Sequence, residues 1–286
     1  MSKRRELQEH SDSLADIGEL LGAMKNLALV ESRRIATFID AQRAAASIVE
    51  RTLSDFVSDY AGHIVPTEHR GEVLCVIGSE RGFCGDLNQR LACAAEEIHS
   101  GGRPVEVGEA DTDRRIVLVG NRLADAWRGE AAAKIPGAGF ADEVQNILAD
   151  LVATLTPLLR ATPHAGPPAL SLLYFNDSGP VHQAMLPAPM PPHAGARRSH
   201  PIQINLAPQL LHVALIDQFL QTALGCALYD ALLHENQLRL EHMEQARHRI
   251  DEQLEDLSRR ANRARQEEIT EEIEVILLSS IAAENG

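Results

Sequence analysis

The chain has 286 residues, 44% hydrophobic and 24% charged, with a formal net charge of −14, which is material for one large or two modest domains with a core. So acidic a chain is a poor partner for nucleic acid, whose phosphates demand a basic face. Its four cysteines, Cys75, Cys84, Cys93 and Cys226, show no CxxC or Cys/His ligand spacing, which points to a reduced, cytoplasmic chain without a metal centre.

The opening MSKRRELQEH carries no apolar core of a signal peptide, and no apolar run approaches the ~18 residues of a membrane span. Any membrane association is therefore expected to come through partners. Positive charge clusters at Lys3–Arg5, Arg33–Arg34 and Arg259–Arg265. On an acidic chain such clusters suit acidic protein partners or a merely solvated face.

From Leu14 a 3-4 alternation runs through Ile17, Leu21, Met24, Ala28, Glu31, Ile35, Phe38, Gln42, Ala45, Val49, Thr52 and Phe56. Glu31, Gln42 and Thr52 are its polar breaks. Sustained heptads predict a coiled-coil helix over residues 1–60. Composition then changes at Ala61–Gly71, where Gly, Pro and His appear. Residues 71–187 alternate between strand and helix patterns. Strands are expected at Glu72–Ile77, Pro104–Val107, Arg115–Val119 and Ala169–Phe175, with Val181–Leu186 returning as a hairpin across Asn-Asp-Ser-Gly. Helices are expected at about Leu87–His99, from Asn121 to near Trp127, and over Ala141–Leu159. Such alternation implies a Rossmann-like α/β domain with a mainly parallel sheet. Residues 188–207, rich in Pro, Ala and His, read as a linker loop.

Residues 208–286 form the second long helix. Met243, Ala246, Ile250, Leu254, Leu257, Ala261 and Ala264 recur in steps of three and four, all on one stripe. That stripe needs a partner, and the N-terminal helix supplies one in an antiparallel coiled coil that the longer C-terminal helix overhangs. The fold expected is thus α/β plus long α.

The turn Gly78–Asn88 between strand and helix is the one segment with a catalytic look. Its spacing is neither GxGxxG nor GxxxxGK[ST], which weakens a phosphate cradle on free backbone amides. Cys84 at a helix N-terminus suits a nucleophile, but no His nearby in sequence would act as its base. The favoured reading is a tight turn that needs Gly82 and Gly85 for backbone geometry.

Four segments, in order along the whole chain, resemble the γ subunit of F-type rotary ATP synthases. Asn262-Arg-Ala-Arg-Gln-Glu-Glu-Ile-Thr-Glu-Glu-Ile273 is similar to that family's N-x-A-R-Q-x-x-I-T-x-E-I. Glu235, Arg239, Met243 and Ala246 keep the register of its S-E-x-x-x-R-M-x-A-M-x-x-A. Ser79-Glu-Arg-Gly-Phe-Cys-Gly-Asp-Leu-Asn88 matches S-D-R-G-L-C-G-G-L-N, and Gly22-Ala-Met-Lys-Asn-Leu-Ala28 matches K-A-M-x-x-V-A. Departures at Leu278–Ile281, Arg249-Ile250 and Ala261 mark a divergent bacterial branch.

The resemblance implies a central rotor stalk coupling ion flow through the membrane sector to ATP synthesis or hydrolysis in a hexameric α/β ring. It implies the α and β subunits, the ε subunit and the membrane c-ring as partners. It also implies a peripheral place on the cytoplasmic face of the bacterial inner membrane, with no catalytic residue, cofactor or metal of its own. Arg265, Gln266 and Thr270 correspond to positions that meet a β-subunit loop, while Met24 and Lys25 occupy the region facing acidic β-subunit loops. For Met24, ordinary coil packing is an equal reading, because it falls on the stripe. The uncharged tip Ile276–Ala283, led by Ile276 and Leu277, is expected to sit in an apolar sleeve of the ring. A coiled-coil adaptor with an α/β head and no rotary role is the alternative, and a small nucleotide- or thiol-dependent enzyme centred on Gly78–Asn88 is a third.

Overall fold

The computed structural model describes residues 3–64, 69–99, 114–160, 166–176, 178–188 and 202–284, with side chains at all of these except 3, 4, 99 and 277–284. The elements are α1 (Lys3–Tyr60), β1 (Glu72–Ile77), α2 (Leu87–His99), β2 (Arg114–Val119), α3 (Asn121–Ala126), β3 (Ala133–Ile135), α4 (Val144–Leu158), β4 (Ala169–Asn176), β5 (Gly179–Leu186) and α5 (Pro208–Glu284). A 3-10 turn, Ala141–Glu143, leads into α4. The expected strand at Pro104–Val107 and most of the 188–207 loop lie outside the described residues.

The sheet runs in the order β3-β2-β1-β4-β5. Its first four strands are parallel and β5 returns antiparallel along β4. β3 was not among the expected strands, because three residues are too few to show an alternation; they pair with Val117, Leu118 and Val119 of β2.

The chain forms two compact units, Leu29–Arg239 and a second made of Met1–Ala28 with Leu240–Gly286. In the Leu29–Arg239 unit both faces of the sheet are covered, as a parallel sheet requires. Val73, Cys75, Ile77, Val117, Leu170 and Leu172 face α4 and the long helices, where Ile35, Ile39, Phe56, Leu151, Phe219 and Leu224 lie in the same core. Leu74, Val76, Leu118 and Phe175 face Leu87, Leu91 and Ala95 of α2 and Leu123 of α3. By length and composition alone, α5 contains a window apolar enough to cross a bilayer, contrary to the expectation from apolar runs. Phe219, Leu224, Leu228 and Leu232 of this helix belong to the core of the unit.

In the other unit the α5 stripe is as expected: Met243, Ile250, Leu257 and Ala264 are buried and Ala246, Leu254 and Ala261 half-buried. The N-terminal stripe needs a correction. Leu21, Ala28, Glu31, Ile35 and Phe56 do face inward and Ala45 is half-buried, but at four of the alternate positions the seam falls one residue later than expected. Ile39 and Leu53 are buried where Phe38 and Thr52 are exposed, and Ile17 and Met24 are exposed beside half-buried Gly18 and Lys25. Apolar character selected Ile17 over Gly18 and Met24 over Lys25. Packing chose the reverse: a Cβ on Gly18 would already stand 3.5 Å from Ile250.

Two of the polar breaks are ties. The Glu31 carboxylate, buried, accepts a hydrogen bond from the Ala141 backbone N–H at 2.6 Å. Gln42 Nε2 donates to the Thr222 carbonyl at 3.3 Å, in a notch that exists because residue 225 is glycine; a Cβ there would lie 2.7 Å from that nitrogen. Thr52 is exposed, and its hydroxyl donates back to the Ile48 carbonyl at 2.8 Å.

Gly120 joins β2 to α3 at φ +110, and a Cβ on it would meet the Ser79 carbonyl oxygen at 2.7 Å and that of Gly78 at 2.9 Å. Gly179 at φ +119 starts β5 with open space around it. Gly120→Ala therefore combines backbone strain with overpacking, at about 2–4 kcal/mol, whereas Gly179→Ala carries the strain alone, about 1–3 kcal/mol. Urea unfolding of the two variants checks this; a loss at Gly120 no larger than at Gly179 would contradict the contact.

Candidate partner-contact surfaces

The turn Gly78–Asn88 is built to be rigid. Gly78 donates its N–H to the Val119 carbonyl at 2.9 Å, and a Cβ on it would stand 2.6 Å from Leu123 Cβ. Asn88 clasps Ser79 twice: its Oδ1 accepts from the Ser79 N–H at 3.0 Å and its Nδ2 donates to the Ser79 hydroxyl at 2.8 Å. The Glu80 carboxylate accepts from the backbone N–H of Asn121 at 3.0 Å and of Gly137 at 2.7 Å. The Arg81 guanidinium lies 3.9 Å over the Phe140 ring.

Of the two glycines expected to carry the backbone geometry, only Gly85 has positive φ, at +60; the other such position is Phe83, at +65. Gly82 keeps an ordinary conformation. Phe83 went unrecognised because a bulky residue seldom adopts this region.

Helix α5 closes the turn from behind. Glu235 and Arg239, both buried, form an ion pair one helical turn apart. Glu235 accepts from the Arg81 N–H at 3.3 Å and Arg239 Nε donates to the Gly82 carbonyl at 3.3 Å. Burial pushes the Glu235 carboxyl up from its ordinary range, while Arg239 and the backbone N–H groups of Arg81 and Glu80 pull it down. The backbone N–H groups of Gly78, Ser79 and Arg81 are thus spent on protein acceptors and are not open to a phosphate.

Cys84 is no nucleophile either. Its thiol donates inward to the Arg81 and Gly82 carbonyls, and burial, followed by the Glu235 charge, pushes it up to about 11. Burial alone puts Cys75 up to about 12. A thiol reacts as its thiolate, so brief alkylation of the native protein at pH 8 should label exposed Cys93 and spare Cys84 and Cys75. Peptide mass spectrometry reads this, and Cys84 labelling as fast as Cys93 would contradict the closed turn.

The remaining expected residues lie in the unit of Met1–Ala28 with Leu240–Gly286. Here α1 and α5 run antiparallel: Gly18 faces Ile250, Gly22 faces Arg247 and Lys25 pairs with Glu244 at 2.8 Å. The hydrogen bond and charge of Lys25 hold the Glu244 carboxyl below its usual range. The stability this contributes is present above the ordinary carboxylate pKa and fades as pH falls through the lowered one, and it is small because Glu244 is exposed. Lys25 is therefore engaged within the coil, whereas Met24 points outward at 38% exposure. The coil-packing reading of Met24 falls, since the seam passes through its neighbour.

Continuing the register puts Lys3 near Arg265. Beyond that, α5 has no counterpart among the described residues of α1 and runs on for roughly 30 Å at 1.5 Å per residue. Arg265, Gln266, Thr270 and Ile276 all lie exposed on this stretch; the Leu277 side chain falls outside those described. At about 100° per residue the four share one arc of the helix with Ile269 and Ile273, turned away from the seam of Leu257, Ala261 and Ala264. Ile269 and Ile273 are 46% and 52% exposed. Sequence reasoning did not single them out as contacts, although their spacing with Ile276 was the available signal. Arg265 has no partner among the described residues, and the Thr270 hydroxyl donates back to the Gln266 carbonyl at 2.9 Å. Met24 and Lys25 lie about twenty residues of α5 away, roughly 30 Å, so the structure offers two surfaces and does not bring the expected residues into one.

The exposed stripe of Ile269, Ile273 and Ile276, rimmed by Arg265, Gln266 and Thr270, has the form of a helix-in-sleeve interface. The family model for ATP synthase matches residues 3–282 of the chain. The chain belongs to the ATP synthase family. Relatives of this ATP synthase chain include the ATP synthase gamma chains of Saccharopolyspora erythraea, 27% identical with 97% of this chain and 96% of that one covered, and of Desulforamulus reducens, 26% identical with 99% and 100% covered. Among solved structures, a chain of the Euglena gracilis mitochondrial ATP synthase assembly of OSCP, F1 and c-ring shares the fold. It has a TM-score of 0.61 at 15% identity and covers 98% of this chain and 94% of that one.

Proposed function

We propose that the chain is the central rotor stalk, the γ subunit, of an F-type ATP synthase, coupling ion flow through the membrane sector to ATP synthesis or hydrolysis in an α/β hexamer. The observation that carries this reading is the exposed apolar stripe near the end of α5. Within a family match that spans nearly the whole chain, the motif residues Arg265, Gln266 and Thr270 stand exposed beside Ile269, Ile273 and Ile276 on a segment that α1 leaves uncovered. An apolar face of that kind is costly in water and is relieved by a surrounding partner. Its occupant on this reading is the sleeve of the α/β ring, with Leu277 continuing the contact.

The chain is a subunit of the complex, peripheral to the membrane. We assign catalysis to its α and β partners and none to this chain, a reading supported by the spent backbone groups and buried thiol of Gly78–Asn88. The ε subunit and the c-ring are its remaining partners, and the complex sits at the cytoplasmic face of the bacterial inner membrane. Met24, exposed, is the residue offered to the acidic β-subunit loops; Lys25 acts there only by exchanging Glu244 for a partner carboxylate. Mechanically, a stalk whose faces differ biases each catalytic site in turn, as coupling free energy carried by a stiff element. The adaptor reading is not favoured, because the family match extends over both long helices as well as the sheet.

The test is Arg265→Ala with Gln266→Ala in the reconstituted complex. ATP turnover should fall about tenfold or more, since each ~1.4 kcal/mol taken from a transition state is tenfold in rate. The melting temperature of the free subunit should stay nearly unchanged, because surface substitutions usually lie within ~0.5 kcal/mol. Full turnover would remove the contact, and a large drop in melting temperature would assign both residues to the coil instead.

A further inference from the structure

We infer that the buried Glu235–Arg239 pair is the joint that holds the sheet-bearing body in register with helix α5 when torque passes between them, an inference that rests on the stalk reading above. Both side chains are almost fully buried, at 3% and 6% exposure. A buried ion pair is weak evidence for stability, because apolar side chains of similar volume often serve the fold as well. What the pair adds is direction. Glu235 accepts from the Arg81 N–H, and Arg239 donates to the Gly82 carbonyl and approaches Cys84 Sγ at 3.6 Å. Asn236 completes the fork: its Oδ1 accepts from Arg239 Nη1 at 2.7 Å, while its own Nδ2 donates to the Leu232 carbonyl at 3.0 Å.

Earlier in α5, Phe219, Leu224 and Leu228 meet the body through apolar side chains. Apolar contact is non-directional and resists separation more than sliding. Bonds aimed at backbone atoms resist sliding, because each has a narrow range of distance and angle. The turn they grip cannot yield by itself. Asn88 clasps it to α2, Glu80 fastens it to Asn121 and Gly137, and Gly78 hydrogen-bonds β2. A twist applied to the body therefore reaches α5 at Glu235 and Arg239 without slack. They are positioning residues for coupling and stand apart from the partner-contact residues.

Two variants test this in the full complex. Glu235→Leu with Arg239→Met removes the directional bonds while keeping apolar volume, and Arg239→Lys keeps a charge for Glu235 but cannot span the fork to Gly82. Three quantities are read: ATP hydrolysis by the detached soluble complex, ATP synthesis driven by an ion gradient across vesicles, and melting temperature. Detached hydrolysis turns the shaft without load on the joint, so it should stay within about twofold of wild type, while gradient-driven synthesis should fall about fivefold or more. A synthesis-to-hydrolysis ratio equal to wild type in both variants overturns the joint, and so does an equal loss of both activities. Failure of the wild-type chain itself to assemble and support synthesis would count against the stalk reading instead.

Discussion

An amphipathic helix of 77 residues must cover its apolar stripe, and the organisation of the chain follows from that requirement. Such a helix gains little from local propensity alone and depends on a partner for its inner face. Sheet, α4 and α1 supply that cover in the Leu29–Arg239 unit, and the first residues of α1 supply it in the other. Beyond Arg265 no described residue of α1 lies opposite α5, and Ile269, Ile273 and Ile276 are exposed there. The candidate contact surface is thus a direct consequence of two helices of unequal length.

The polar residues placed inside this framework act as fasteners. Glu31, Gln42, Glu235 and Arg239 each spend a side-chain group on a backbone atom of another element. Leaving any of these groups buried and unbonded would cost far more than the bond itself contributes, so each specifies one register among those the apolar stripe alone would tolerate. The turn Gly78–Asn88 belongs to the same system. Its glycines and carboxylate serve close approach and backbone capture, which accounts for a catalytic look without catalytic chemistry.

Much of this was legible in the sequence. All seven positions of the α5 stripe, the strands β1, β2, β4 and β5 and the antiparallel pairing followed from periodicity. The α1 stripe was half legible: a heptad read by hydrophobicity cannot choose between adjacent residues when the seam admits Gly18 and Lys25 while Ile17 and Met24 lie beside it. Phe83 in a left-handed conformation and the three-residue β3 left no pattern to read. Arg265, Gln266 and Thr270 were reached through a resemblance, since an exposed polar face looks the same whether or not a partner meets it. Ile269 and Ile273 were legible in principle, as an apolar spacing out of phase with the seam, but became distinct from the coil only once the end of α1 was known.

A central stalk requires an α/β hexamer that closes around the C-terminal stretch of α5. The most direct measurement is purification of the tagged full chain from its native membranes under mild detergent, followed by quantitative mass spectrometry of what accompanies it. A stalk subunit brings down ATP synthase α and β subunits in equal amounts, each in excess over the chain, together with ε and c subunits. Recovery of the chain with other proteins and without α and β would contradict it and leave a coiled-coil adaptor in its place.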